Sequence, residues 1–418
     1  MRSGESPSAE IRRPTQGLPS EWPATLDVDE LVAGGWRPTP FRQFVLKVHS
    51  RCNLSCNYCY MYTLADQSWR LRPLTMEPSL VALTAWRIAE HAQAHDLNAI
   101  RVILHGGEPL LAGHAYLADA VSRLRQTLEP VVRVHVGLQT NGVLLDERFL
   151  RMFRSLSVSV GVSLDGDEAA HDRHRRYARG PGSHAAVSQA LRLLMRPAHR
   201  EVYSGLLCTI DVRNDPITVY EALLEFDPPA VDFLLPHGTW SAPPPNRDRD
   251  PTHAPYGEWL IAVFDRWFSS PRRETRVRLF EEIIHLLLGK GSQCEATGLT
   301  PTSLVVVETD GSIEQSDILK SAYDGAPKTG LHVTHDTFDT ALRLPSIAAR
   351  QLGLDALADE CKACSLRRVC GGGLYPHRYR SGSGFRNPSV YCPDLFRLIE
   401  HIRERVVAEL RLRVGAPR

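Results

Sequence analysis

The chain has 418 residues, 43% hydrophobic and 23% charged, the balance of a soluble globular protein long enough for two or three domains. Its 49 basic and 48 acidic side chains leave a net charge of +1, which excludes a bulk field for nucleic acid or an anionic membrane. No apolar run of roughly 18 residues exists, and residues 1–23 lack the apolar centre of a secretory signal, so the chain is expected in the cytoplasm, with neither nucleic acid nor membrane as partner.

Residues 1–24 are rich in Pro, Ser, Gly and charge and are expected to be disordered; the segment as a whole, 1–40, is read as largely disordered or extended. From residue 41 short β-rich runs alternate with amphipathic segments. Strands are predicted at 41–49, 99–107, 132–142, 157–166, 202–210 and 230–238, with helices between them, as at 76–95 and 184–196. Alternating strand and helix predicts parallel strands joined by right-handed crossovers. Six such units suit a partial (β/α)6 TIM-like barrel over 41–240 better than a closed eight-fold one. "HGGEP", "QTNG", "SLDG" and "PHG" each stand at the C-terminal end of a predicted strand, the rim where parallel α/β folds bind ligands. A Pro-rich break near 240 opens a bridging, substrate-side region over 241–330, with helices at 256–268 and 276–291. A compact cysteine-bearing section then fills 331–418 and ends in a helix at 394–414.

Nine cysteines in a reducing compartment read as metal ligands rather than disulfides. Three of them, Cys52, Cys56 and Cys59, form C-x3-C-x2-C in "CNLSCNYC", directly after the first strand. Thiolates favour zinc, copper(I) or iron–sulfur clusters. A closed zinc site wants four ligands, and here His49 or His105 would have to complete it; an iron–sulfur cluster with one bare iron needs only three. The later set, Cys361, Cys364, Cys370 and Cys392, reads C-x2-C-x5-C followed after 21 residues by C, which closes a site for zinc or a 4Fe–4S cluster.

"CNLSCNYCY" followed in order by "GGEP", "QTNG" and "SLDG" resembles the radical S-adenosylmethionine superfamily. The resemblance implies that Cys52, Cys56 and Cys59 hold a 4Fe–4S cluster whose fourth iron chelates S-adenosylmethionine, the source of a 5′-deoxyadenosyl radical. It implies Tyr58 against adenine, and Gly106, Gly107, Glu108 and Pro109 at the methionyl amino group. Ser163 and Arg175 match positions that contact ribose and carboxylate, though an arginine among "RHRRYAR" equally fits a solvated face. Gln139 and Asn141 either line the same mouth or shape its turn.

The C-terminal array is similar to the latter half of a SPASM domain, the auxiliary-cluster module of peptide-modifying radical enzymes. Leu374, Gln315 and Ser316 stand where that pattern has further cysteines, so one auxiliary 4Fe–4S cluster is expected, with Cys208 and Cys294 left as free thiols.

"YTLADQSWR", "DFLLPHGTW", "VVVETDGSIEQSDILK" and "GFRNPSVYC" resemble the FxsB-type branch of these maturases. That likeness implies a cyclophane crosslink, side-chain β-carbon to aromatic ring, in a ribosomally synthesised precursor peptide with a leader, and an external flavodoxin- or ferredoxin-like electron donor. Such a reaction needs a base; His237 and Asp317 are the candidates, each with a bland reading as a structural or surface residue. The rivals are a peptide epimerase, with Cys208 returning the hydrogen atom, an anaerobic sulfatase-maturing enzyme and, outside enzymes, an iron–sulfur redox protein.

Overall fold

The computed structural model describes residues 21–247, 250, 252–292 and 294–415. The expected disordered leader lies outside the described residues for positions 1–20. Residues 21–24 are ordered by contact: Trp22 bridges Gly384, and α1 (Val28–Ala33) follows, capped by the Asp27 carboxylate on the Glu30 amide at 3.0 Å.

Six parallel strands run in chain order: β1 (Gln43–His49), β2 (Ala99–Gly106), β3 (Arg133–Thr140), β4 (Val158–Ser163), β5 (Tyr203–Thr209) and β6 (Ala230–Leu234). They coincide with the predicted runs. Between them lie α2 (Pro78–Ala94), α3 (His114–Leu128), α4 (Glu147–Ser155), α5 (Glu168–His174), α6 (His184–Leu194) and α7 (Pro216–Leu224). β1 is buried along its five central residues, as a central parallel strand should be; β3, packed by helices on one face, alternates buried with exposed positions in its first half. Asp146, Asp167 and Asp215 accept the amide three residues on and start α4, α5 and α7, a cap contributing about 1 kcal/mol each.

The sheet continues past this partial barrel on both sides. After α8 (Pro255–Phe268), β7 (Arg276–Val277) pairs parallel to β6 and leads into α9 (Arg278–Leu287). On the opposite edge β8 (Leu304–Val307) runs parallel to β1, and β9 (Ser312–Glu314) and β10 (Lys328–His332) fold back antiparallel. Among the described residues the order is β10-β9-β8-β1-β2-β3-β4-β5-β6-β7. The alternation of strand and helix shows the first six strands, but not that β8, with Leu304 opposite Gln43, flanks β1, which is settled by long-range packing.

Short helices carry the C-terminal section: α10 (Phe338–Leu342), α11 (Pro345–Ala348), α12 (Asp359–Ala363), α13 (Arg367–Cys370) and the long α14 (Cys392–Gly415). Among the described residues no helix is long and apolar enough to cross a membrane.

A buried ionic cluster clamps the loop after β1 to the β8–β9 hairpin. Lys320 Nζ lies 3.2 Å from carboxylate oxygens of Glu308 and Glu314 and 3.7 Å from Asp66, while Asp66 accepts the Gly325 amide at 2.7 Å. Arg72 adds ion pairs to Asp310 and Glu314. Deleting one member of such a buried set strands its partner's charge, at a cost of about 3–5 kcal/mol. The loop carrying the first three cysteines is thus fixed from a distant part of the chain.

Candidate active site

The loop from Ser50 to Thr75 leaves β1 at the C-terminal rim and folds over the ends of β2 and β3. His49 and Arg51 carbonyls accept the amides of Gly107 and Glu108 at 2.8 and 2.9 Å. A Cβ on Gly106 would stand 2.1 Å from the His49 carbonyl oxygen, and one on Gly107 would stand 2.4 Å from that of Arg51. The paired glycines therefore admit the cysteine loop itself against the strand end.

Glu108 faces inward and is fully buried; its carboxylate accepts the Leu110 amide (3.0 Å), the Thr140 hydroxyl (2.7 Å) and the Asn141 amide (2.8 Å). Burial pushes its pKa up to about 7 against those donors. Pro109 is buried in the short turn that follows. Asn141, so held, donates to Cys52 Sγ at 3.5 Å and to Asn53 at 2.7 Å. "GGEP" and "QTNG" thus meet each other and the first thiol.

Burial pushes the Cys52 thiol up to about 12 and Cys56 to about 11, with charge on Cys59 adding to both and Arg175 opposing it at Cys56. Three half-buried thiols so placed favour a positively charged metal core that takes up their charge as protons leave. Among the described residues no three cysteine sulfurs lie mutually within 4.8 Å. Tetrahedral zinc, with bonds of about 2.3 Å, would gather them to roughly 3.8 Å. Among the described residues, neither cysteine set brings three sulfurs to that spacing.

Beside the thiols Asp165, of "SLDG", is a hub. It takes the Arg175 Nε–H at 2.8 Å, the Thr209 amide at 3.0 Å and the Tyr58 hydroxyl. Arg175 is nine-tenths buried and lies 5.6 Å from the Tyr58 ring centroid, so it is not on a solvated face. Burial alone would raise the Asp165 carboxyl, but Arg175 and His171 hold it below its ordinary value. Gln139 donates to Ser163 Oγ at 3.2 Å across the ends of β3 and β4.

Across the mouth a second polar group stands on β1. Lys47, 1% exposed within an apolar strand, donates to Asp317 at 2.5 Å and contacts His105 Nδ1 at 3.0 Å. Tyr60 donates to the same Asp317 oxygen at 3.2 Å. Burial opposes ionisation of Asp317, yet Lys47 and His105 hold the carboxyl well below the usual range. Burial, reinforced by Lys47, pushes His105 down to about 4. His237 sits against Tyr60, ring centroids 4.8 Å apart; burial pushes it to about 4, and its Nδ1 has no partner among the described residues. The sequence reading placed Asp317 and His237 near the site but missed Lys47, Tyr60 and Asp165. A lysine in the middle of a buried strand was the available signal for the first.

The C-terminal cysteines sit on short helices: Cys361 on α12, Cys370 closing α13, Cys392 opening α14, with Cys364 between. Burial pushes Cys361 up to about 11 and Cys370 to about 12, and charge on Cys392 adds to both. Cys392 is exposed and lines a cleft of 1210 Å³ between α8 and α14. Where further ligands would be expected, Gln315 is buried with its amide on the Ala326 carbonyl at 3.2 Å, and Ser316 beside it is buried too. Nearby, Arg350 joins Glu295 at 2.6 Å while lying 5.7 Å from the Tyr375 ring centroid. Cys208 is fully buried on β5, and burial pushes its thiol far up, so it stays protonated.

His91, His95 and Asp339 also converge, far from either set. His91 Nε2 accepts the Phe41 amide at 3.0 Å, so the ring proton is on Nδ1, pointing at Asp339 2.5 Å away. No lone pair on His91 is free for an ion; the group is a clamp between α2 and α10.

Residues 46–207 match the family model "Radical SAM superfamily". This part of the chain has the radical SAM fold. Its donor set fits the resident groups: Cys52, Cys56 and Cys59 for a 4Fe–4S cluster that binds S-adenosylmethionine, and the four C-terminal cysteines for an auxiliary cluster. The chain is 25% identical over 380 residues to a cysteine-type anaerobic sulfatase-maturating enzyme of Clostridium perfringens, covering 88% of this chain and 98% of that one. It is 25% identical over 355 residues to a serine-type anaerobic sulfatase-maturating enzyme of Klebsiella aerogenes, covering 83% and 82%. Among solved structures it matches anSMEcpe with bound AdoMet and Cp18Cys peptide at a TM-score of 0.72 and 23% identity, covering 88% and 98%. Streptococcus suis SuiB superposes at 0.55 with 14% identity, covering 86% and 79%.

These findings overturn the expectation of a cyclophane-forming, FxsB-type maturase: the similarity across nearly the whole chain runs to sulfatase-maturating enzymes. The physical reason lies in what the motifs build. The words that carried that likeness, "YTLADQSWR" and "VVVETDGSIEQSDILK" among them, meet in the buried cluster of Asp66, Glu308, Glu314 and Lys320, a scaffold contact that carries no information about the substrate's reacting side chain.

Proposed function

We propose that this protein is a peptide-modifying radical SAM enzyme that oxidises a cysteine or serine side chain in an extended segment of another protein, of the kind for which its sulfatase-maturating relatives are named. The observation that carries the reading is the similarity over 88% of this chain and 98% of the cysteine-type relative. The barrel mouth supplies matching chemistry. Removing one hydrogen atom from the side-chain β-carbon, one proton from its thiol or hydroxyl and one electron leaves a carbon–sulfur or carbon–oxygen double bond.

When bound, S-adenosylmethionine and the cluster on Cys52, Cys56 and Cys59 supply a hydrogen-abstracting radical, and the group held by the four C-terminal cysteines supplies an acceptor for the remaining electron. The protein's own residues bind and orient. Tyr58, Asp165 and Arg175 form the wall beside the thiols, and Gln139 with Ser163 floors the mouth. Asp317 takes the proton. Its Oδ2 is occupied by Lys47 and Tyr60, which fix the carboxylate, and Oδ1 has no hydrogen-bond partner among the described residues. A carboxylate held below its usual range is a weak base, which suffices for a thiol or hydroxyl beside a radical carbon, far more acidic than its closed-shell parent. His237, neutral at pH 7, faces the same space as a positioning group. An external one-electron donor of flavodoxin or ferredoxin kind is part of this reading.

The test is anaerobic incubation of the reconstituted enzyme with synthetic peptides that carry a central Cys, Ser or Ala and are otherwise identical. Loss of two hydrogens from the Cys or Ser peptide, with trapping of the new carbonyl-type group by a hydrazine, supports the reading; an unchanged Cys and Ser peptide beside a sulfatase segment of any sequence sinks it. In Asp317→Asn, oxidised peptide should fall by about 10²–10⁴-fold while 5′-deoxyadenosine still forms.

A further inference from the structure

Behind the auxiliary cysteines lies a buried cation with no carboxylate. Arg378 is 8% exposed. Its Nε donates to the Gly372 carbonyl at 3.1 Å, and one terminal nitrogen donates to the carbonyls of Gly371 and Gly373, both at 2.6 Å. These are the three glycines of "CGGG", directly after Cys370, and all three adopt left-handed φ, +60°, +79° and +69°. Side chains are rarely tolerated there. A Cβ on Gly372 would stand 3.0 Å from the Arg378 guanidinium carbon. The glycine run turns three successive carbonyls onto one guanidinium.

Carbonyls satisfy hydrogen bonds but do not neutralise a charge. Neighbouring Arg350, 5.7 Å from the same Tyr375 ring that Arg378 approaches at 5.6 Å, has Glu295 at 2.6 Å. Among the described residues Arg378 has no such partner: the acidic groups that act on its charge are Tyr375, Cys370 and Cys361. Tyrosine at neutral pH is uncharged, which leaves the cysteines. A buried permanent cation needs a counter-charge, and a cluster on four thiolates provides one, dianionic when oxidised and trianionic when reduced.

We infer that Arg378 is the built-in counter-ion of the auxiliary iron–sulfur cluster and raises its reduction potential. The inference rests on the reading of Cys361, Cys364, Cys370 and Cys392 as cluster ligands. Uptake of one electron adds one negative charge without a proton or a new bond, and the fixed cation favours that state, making the cluster a better acceptor of an electron from substrate.

The experiment is an anaerobic redox titration of the reconstituted full-length enzyme followed by EPR, comparing wild type with Arg378→Gln and Arg378→Lys. To isolate the auxiliary signal, each is made in a Cys52→Ala/Cys56→Ala/Cys59→Ala background. Arg378→Gln should lower the midpoint so that, at a fixed potential, the reduced-to-oxidised ratio falls about ten-fold, equal to about 59 mV for one electron. Arg378→Lys, which keeps the charge but cannot span three carbonyls, should regain most of the shift. Equal midpoints in all three proteins overturn the proposal, as does a lysine variant that shifts as far as glutamine, which marks a purely structural role. Iron counts separate the two readings: no iron in the Cys52→Ala/Cys56→Ala/Cys59→Ala background with Arg378 intact refutes the cluster assignment, whereas a cluster with an unmoved potential refutes only the counter-ion.

Discussion

The two cysteine sites differ in what surrounds their sulfur. Cys52, Cys56 and Cys59 hang over the ends of a parallel sheet, beside paired charges: Arg175 with Asp165 on one side, Lys47 with Asp317 on the other. Cys361, Cys364, Cys370 and Cys392 sit on short helices beside a cation, Arg378, that has no carboxylate. Paired charges around an incomplete ligand set orient a polar guest without favouring either redox state. An unpaired cation against a complete set does the reverse: it leaves nothing open to a guest and biases the electron. On the function proposed above, the contrast would divide the labour between binding and chemistry at the strand rim and electron handling in the C-terminal section.

The hardest test of that division is one cysteine removed from each. Cys56→Ala should abolish 5′-deoxyadenosine formation altogether and lower iron by about four atoms per chain, the content of one 4Fe–4S cluster. Cys370→Ala should lose a similar amount of iron yet keep cleavage of S-adenosylmethionine while oxidised peptide drops. Parallel assays of iron, 5′-deoxyadenosine and peptide mass check both variants. Loss of cleavage in Cys370→Ala would break the separation.

A smaller effect is expected from the scaffold beneath the first site. Glu108 meets three donors and passes its order to Asn141 and so to Cys52. Glu108→Gln is isosteric, but with its carbonyl on Leu110 and Thr140 it turns an amide N–H toward the Asn141 N–H. Leaving that buried donor unsatisfied costs about 1–3 kcal/mol. Thermal melts should show the loss, and the EPR signal of the first cluster should broaden while that of the auxiliary cluster stays unchanged. An unchanged first signal would mean that Asn141 does not order Cys52.

Much of this arrangement was legible in the chain. Six strands were readable from their apolar runs, and the glycine-bearing words fell at their C-terminal ends because a parallel strand that stops at a ligand rim must turn sharply there. Both cysteine sets were readable from spacing alone. What was hidden depends on residues far apart. Lys47 is one cation in an apolar run until Asp317, 270 positions on, arrives beside it. "CGGG" is three flexible residues until Arg378 turns back into their carbonyls. Substrate choice was misjudged for a related reason. The words that carried the branch resemblance, such as "YTLADQSWR" and "VVVETDGSIEQSDILK", build the buried clamp of Asp66, Glu308, Glu314 and Lys320, which fixes a loop and does not report the side chain that reacts.

The smallest expected effect concerns protons rather than electrons. Two histidines at the barrel mouth, His105 and His237, are each pushed down to about 4 by burial. In the unfolded chain they titrate near the ordinary value of about 6.5. Between these limits the unfolded state binds more protons, so stability falls as pH drops from about 6.5 toward 4 and is fully retained above. At pH 5 each histidine should cost about 1–2 kcal/mol, allowing for its partial solvent contact. His237 faces Tyr60, His377 and, through space, Asp317, whose negative charge limits the shift. In His237→Gln the difference in unfolding free energy between pH 7 and pH 5 should shrink by that amount, read by urea melts at both pH values. An unchanged difference would mean that His237 is already solvated in the mouth, and the space beside Asp317 would then be wet rather than shaped to exclude water from a reactive side chain.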